Sequence, residues 1–239
     1  MIIYGINPVV EAIRSGRAKR VRLSPRGDRR IEEALALARE KRVPVERADV
    51  QALDRAARGG VHQGIVAEVE AARDYSVQEL IEAASPGVPL IVVLDGIEDP
   101  HNLGAIVRTV DAAGVHGIVR QARHAATLDG VAAKASAGAL AHVRIATVVN
   151  IARAVEELKE AGVWTVGLAG EAVESYDQVD FTLPTAVVVG AEGSGLRRLV
   201  RERCDRLVSI PMHGRVNSLN VSVATAVALF EAVRQRGSL

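Results

Sequence analysis

At 239 residues the chain has room for one large domain or two modest ones, and its 49% apolar and 25% charged residues belong to a globular protein rather than a disordered or fibrous one. Thirty Lys and Arg stand against twenty-nine Asp and Glu, so no global charge excess announces a partner. The single cysteine, Cys204, excludes an internal disulfide framework and a cysteine-rich zinc site and fits a reducing compartment. No stretch approaches the roughly eighteen uncharged apolar residues of a membrane span, and the first twenty residues lack the apolar run of a secretion signal, so a cytoplasmic protein without a membrane partner is expected.

The first third reads as a small α/β unit. Strands are expected at 21–23, 43–46 and 65–69, and the segment IEEALALAREKR places Ile31, Leu35 and Ala38 on one helical stripe. Residues 1–73 hold fifteen Lys and Arg against ten Asp and Glu, whereas the remainder holds fifteen against nineteen. The excess is densest at Arg14, Arg17, Lys19, Arg20, Arg22, Arg26, Arg29 and Arg30, opposed within that stretch only by Asp28. Such a block reads either as a phosphate-facing surface or as a solvated face. Aromatic residues make up 3% of the chain, which argues against a base-stacking platform and for contacts to backbone and shape. Residues 1–72 are therefore assigned to an N-terminal domain. Residues 73–87, polar and then rich in proline and glycine, form a linker with a short helix.

From residue 88 to 239 strand and helix alternate. LIVVLD (90–95) suits a strand buried on both faces, and further strands are expected at 117–119, 163–167, 186–190 and 207–210. Helices are expected at 103–114, 149–161, 196–203 and 221–236, giving a mostly parallel, doubly wound α/β sheet. Three segments carry candidate chemistry. In LDGIEDPHNLGAIVRTVDAAG (94–114), Asn102 stands where a helix N-cap belongs. Arg108 lies about 200° around that helix from Ile106. It is either an exposed arginine paired with Asp111 or a guanidinium aimed into the cleft at the strand ends. In TAVVVGAEGSGLRRLV (185–200) a strand runs into glycines spaced G-x-x-G-x-G (Gly190, Gly193, Gly195), which is neither the dinucleotide fingerprint nor a P-loop. Glu192 is an unusual carboxylate at that edge of a sheet. In SIPMHGRVNSLNVSVATAVALFEAVRQR (209–236), Asn217, Ser218 and Asn220 precede a helix that is apolar or small nearly all round, with Asn220 a cap or a ligand-site residue. The six histidines show no metal-ligand spacing, so no metal is expected, and Cys204 is placed on an amphipathic helix in a structural role.

Taken together and in order, DPHNLGAIVRT, VVVGAEGSGL and SIPMHGRVNSLNVSVATAVALFEA resemble the three signature motifs of the SpoU (TrmH) family of the SPOUT class, S-adenosylmethionine-dependent RNA ribose 2′-O-methyltransferases. YGINPVVEAI and VHQGIVAEV resemble the small RNA-binding domain of one branch, which includes the enzyme that methylates a guanosine in the peptidyl-site loop of bacterial 23S ribosomal RNA. The resemblance implies a Rossmann-like parallel sheet whose C-terminal part threads a deep trefoil knot, against the usual absence of knots. It also implies a homodimer formed through the catalytic domain. It assigns the methyl donor, S-adenosylmethionine, to Gly190, Ala191, Gly193, Ile210, Pro211 and Leu219, and catalysis to Arg108 supported by Asn102, Glu192, Ser218 and Asn220. It makes the N-terminal domain RNA-binding, and the charge of the block from Arg14 to Arg30 makes that block the expected RNA contact. Because guanidinium keeps its proton at ordinary pH, Arg108 is expected to grip a substrate phosphate and stabilise charge on the 2′-oxygen rather than act as a base. The competing readings are the same chemistry on transfer RNA or another ribosomal position, and an RNA-binding protein without activity.

Overall fold

The computed structural model describes residues 1–25, 29–71 and 73–237. The chain forms two compact units, Met1–Ala72 with 103–108 and 127–142, and Arg73–Asn102 with 109–126 and Val143–Leu239.

In the first unit the order is β1 (Ile2–Tyr4), α1 (Ile6–Arg14), β2 (Ala18–Leu23), α2 (Arg29–Glu40), β3 (Val45–Arg47), α3 (Val50–Ala56) and β4 (Ile65–Val69). The strands lie in the order β1-β4-β2-β3, antiparallel except for the β2–β3 pair. Helix α1 buries Ile6, Val9, Ala12 and Ile13, an i, i+3, i+6, i+7 stripe. It tolerates Pro8 because that residue falls in the first turn, where its missing N–H has no helical partner to lose. Tyr4 is wedged against two glycines, since a Cβ at Gly60 or Gly130 would come within 2.4 Å of its ring.

The second unit is built on an eight-stranded sheet. Its strands are β5 (Asp74–Tyr75), β6 (Leu90–Asp95), β7 (Gly117–Gln121), β8 (Ile145–Val148), β9 (Trp164–Leu168), β10 (Glu174–Ser175), β11 (Thr185–Gly190) and β12 (Arg206–Ser209). The order across the sheet is β10-β12-β9-β11-β6-β7-β8-β5, and every pairing between described strands is parallel. Helices α4 (Val77–Glu82), α5 (Pro100–Ala112), α6 (Gly130–Ala135), α7 (Ile151–Glu160), α8 (Arg198–Arg203) and α9 (Val221–Gln235) complete the chain. The apolar runs of β6 and β11 are buried at every residue, as strands covered on both faces must be. Helix α7 lays Ile151, Val155 and Leu158 on Ile91, Val93 and Val188. The segment expected as a linker supplies both the edge strand β5 and helix α4, whose Val77 and Leu80 enter that core.

Two local expectations are corrected. The cap of α5 is Asp99, whose carboxylate accepts from His101 N at 2.9 Å with Pro100 following, so Asn102 lies inside the first turn rather than before it. Cys204 is not within a helix. It caps the short α8, with its thiol donating to Val200 O at 3.3 Å.

Candidate active site

Strands β6, β7, β9, β11 and β12 all end at one edge of the sheet, which is where open parallel α/β sheets hold ligands. Gly190 ends β11 in register with Asp95 at the end of β6. Beyond it the chain doubles back. Ala191 and Gly195 exchange backbone hydrogen bonds of 3.1 and 2.9 Å, and Gly193 (φ 83°) and Gly195 (φ 64°) take left-handed backbone that favours glycine. Gly190 needs to be glycine for a different reason. A Cβ there would sit 2.1 Å from the carbonyl carbon of Gly195 and 2.3 Å from Leu196 N.

This closed loop separates two clefts. The first, of about 300 Å³, is lined by the loop, by Leu168 and Ser209 at the ends of β9 and β12, and by Ile210, Met212, Asn217, Ser218 and Leu219. Its apolar side chains beside a run of backbone amides suit a flat nucleoside, and its volume lies at the small end of ligand sites. The second, of about 500 Å³, is lined by Asp95, Glu98, Asp99, Asn102, Gln121, His124 and Arg197 together with Ala191, Glu192, Ser194 and Gly195 of the same loop. Between them runs a chain of side chains. Asn102, only 8% exposed, donates from Nδ2 to Glu192 Oε2 at 3.2 Å and accepts at Oδ1 from Asn220 Nδ2 at 2.9 Å. Asn220 is also the cap of α9, accepting from Ser222 N at 2.9 Å.

A separate network ties down the far end of the loop. Asp95 is fully buried, a position a carboxylate tolerates only when paired. Its Oδ2 accepts from Arg197 N at 2.8 Å and its Oδ1 from Arg197 Nε at 2.6 Å, while Nη2 of the same arginine donates to Gln121 Oε1 at 2.6 Å. No cluster of metal-ligating side chains occurs among the described residues.

The SpoU rRNA methylase family model matches residues 89–230, which hold both clefts, and the RNA 2′-O ribose methyltransferase substrate-binding model matches residues 2–75. The chain belongs to the SpoU methylase family. It is 48% identical to the 23S rRNA (guanosine-2′-O-)-methyltransferase RlmB of Pseudomonas putida, over 98% of this chain and 96% of that one. It is 44% identical to the enzyme of the same name from Escherichia coli, over 98% of each. Among solved structures, the SpoU methyltransferase AviRb of Streptomyces viridochromogenes in complex with the cofactor AdoMet superposes with a TM-score of 0.83 at 29% identity, covering 100% of this chain and 91% of that one.

In this SpoU methylase the sequence-predicted residues fall into groups. Gly190, Ala191, Glu192, Gly193, Ile210, Ser218 and Leu219 line the first cleft, whereas Pro211 is exposed beside it and is not part of its lining. Asn102, Glu192 and Asn220 are joined by hydrogen bonds, and Ser218 stands apart from that chain. Arg108, on α5, is exposed and lines neither cleft, and its side chain forms no ion pair with Asp111 and no other hydrogen bond or ion pair among the described residues. The basic block is less bare than its sequence suggests, because glutamates from outside it pair with Arg14 (Glu11, 2.6 Å), Lys19 (Glu70, 3.3 Å), Arg20 (Glu46, 3.2 Å), Arg22 (Glu46, 3.6 Å) and Arg29 (Glu33, 3.0 Å). Arg30 donates to Asn7, and Arg17 to the carbonyls of Leu140 and Glu70. Arg26 lies outside the described residues. Asp95, Gln121 and Arg197 were not singled out by sequence. The available signal was an aspartate ending a fully apolar strand, a charge that folding has to neutralise.

Proposed function

We propose that this SpoU methylase moves a methyl group from S-adenosylmethionine to the 2′-hydroxyl of a guanosine in 23S ribosomal RNA. The observation that carries the reading is the pair of clefts sharing one glycine loop, with Glu192 held on the divide by Asn102, which Asn220 holds in turn. A donor seated on one side and a ribose on the other would meet at the edge of that loop, where the methyl carbon can face the 2′-oxygen directly. The near full-length likeness to guanosine-specific 23S relatives supports the choice of substrate.

In this reading the first cleft holds the donor through backbone groups of Gly190, Ala191, Gly193 and Leu219 and through the side chain of Ile210, with Pro211 shaping the approach. When bound, S-adenosylmethionine supplies an electrophilic methyl group. A ribose hydroxyl is a weak nucleophile, so the residues of the chain must align it and relieve it of its proton. Asn102 fixes the Glu192 carboxylate, and Glu192 from the loop and Ser218 from the segment before α9 present acceptors to the hydroxyl. Arg108, which has no partner of its own among the described residues, takes a phosphate of the substrate strand and stabilises charge growing on the 2′-oxygen. Residues 1–72 bind RNA through the basic block, whose exposed ion pairs, each worth about 0–1 kcal/mol, exchange readily for phosphates. Residues 88–239 carry catalysis and the knot of the SPOUT class. Helix α9 buries one face only and leaves Val223 and Phe230, seven residues apart, 47% and 43% exposed, which suits a homodimer contact through the catalytic domain. No described helix is long and apolar enough to cross a membrane, and the reading places the enzyme with its RNA in the cytoplasm.

The test is transfer from labelled S-adenosylmethionine to protein-free 23S RNA and, in parallel, to unmodified transfer RNA. Label in a 23S guanosine ribose is expected, lost in Arg108→Ala and largely lost in Arg108→Lys, since lysine lacks the bidentate grip. Label confined to transfer RNA would overturn the substrate, and an active Arg108→Lys enzyme would overturn the role given to Arg108.

A further inference from the structure

We propose that Arg197 is a substrate-binding residue, held by Asp95 and Gln121 so that its Nη1 meets a phosphate of the RNA strand entering the second cleft. The inference rests on the functional reading above and adds a residue to it. Arg197 spends its Nε and Nη2 on Asp95 and its Nη2 again on Gln121, while Nη1 has no hydrogen-bond partner among the described residues. Gln121 cannot swing away from it, because its own Nε2 is tied to the carbonyls of Arg123 and His124. The guanidinium is thus fixed in plane on one edge and open on the other.

A cation needed only to neutralise Asp95 would be buried with it. Instead the Asp95 side chain is 0% exposed and that of Arg197 is 55% exposed, at the wall of the cleft shared by Asn102 and Glu192. A half-exposed, pre-oriented guanidinium with a free N–H pair is suited to receive an anion. The loop does not require the side chain for its anchorage, since Arg197 N already binds Asp95 Oδ2. Glu98, Asp99 and Glu192 line the same cleft and repel an anionic group, which leaves the open edge of the Arg197 guanidinium as the cationic contact that lining offers it. In RNA that group is the phosphodiester.

The experiment compares full-length wild type, Arg197→Gln and Arg197→Lys for binding of a 23S-derived hairpin by fluorescence anisotropy across 50–300 mM salt, with donor affinity and thermal midpoint measured alongside. Arg197→Gln is expected to weaken RNA binding by about 10-fold or more and to make the log–log salt slope shallower by roughly 1, with donor affinity within about twofold of wild type. Arg197→Lys, which keeps a charge beside Asp95 and guards against a folding defect, is expected to recover the salt slope but not the full affinity. An unchanged slope, with the loss appearing in donor affinity or thermal midpoint, would overturn the proposal and leave Arg197 as an anchor of the loop. Methyl transfer by the wild type is scored separately. Its absence would sink the functional reading, and the binding curves would still decide Arg197.

Discussion

Replacing Gly190 by alanine tests whether the closed loop is what builds the first cleft, the one proposed for the donor. The added Cβ would lie 2.1 Å from Gly195 C and 2.2 Å from its O, and these are backbone atoms that no rotamer change can move. Reaching even the shortest contacts that real Cβ atoms make requires a retreat of roughly 1 Å, and overpacking of this kind costs about 1–3 kcal/mol. That retreat also opens the Ala191–Gly195 pair, whose two hydrogen bonds of 3.1 and 2.9 Å contribute about 0.5–1.5 kcal/mol each. Together these give a loss of about 2–6 kcal/mol, or of order 10 °C in thermal midpoint for a chain of this size. Donor affinity, read by isothermal titration calorimetry, should fall at least tenfold. Gly170 lines the same cleft with nothing within 4 Å of its Cβ position, so Gly170→Ala is the matched control and should leave both quantities nearly unchanged. A Gly190→Ala protein with wild-type midpoint and donor affinity would refute the reasoning.

Asn102→Asp sets a second carboxylate against Glu192 in place of a donor at 3.2 Å. Methyl transfer should drop by about 100-fold, with partial recovery on lowering the pH because the pair then shares a proton, a recovery that Asn102→Ala should lack. Burial, with Asp205 adding to it, pushes the Cys204 thiol up to about 12. A disulfide reagent at pH 8 should therefore label the protein only after denaturation, and rapid labelling of the native state would contradict that environment. Hydrogen bonds from Arg234 and then Gln235 hold the Glu231 carboxyl down to about 2 from an ordinary 4.5. A depressed carboxyl stabilises the fold above pH 4.5 and ceases to do so as pH falls towards 2, so the thermal deficit of Glu231→Gln should be present at pH 7 and shrink between pH 5 and pH 3.

The parts of this fold that were legible in sequence are those where one residue pattern decides the outcome. LIVVLD and TAVVVG are continuous apolar runs and form adjacent central strands, and the stripe of Ile151, Val155 and Leu158 had to face a core. The edge strands Asp74–Tyr75 and Glu174–Ser175 are two residues long and polar, so hydrogen bonding to a neighbour defines them and no periodicity reveals them. Asn102 was misplaced by three residues because Asp, Pro and Asn all favour a helix start, and the Asp–Pro pair took the cap. That displacement turned its amide inward, onto Glu192 and Asn220, residues 90 and 118 positions away. Asp95 and Arg197 are 102 residues apart, and nothing in either local sequence names the other.

The glycine loop has one face on each cleft and is fixed at both ends, at Gly190 by close packing and at Arg197 by a buried carboxylate. With donor and RNA in the two clefts as proposed, any coupling through that wall is reciprocal. Whatever factor a bound donor applies to the affinity for RNA, the RNA must apply to the affinity for donor, and couplings of this sort commonly amount to about 1–3 kcal/mol. The backbone from Gly190 to Arg197, eight residues long, is the element through which such a coupling would pass.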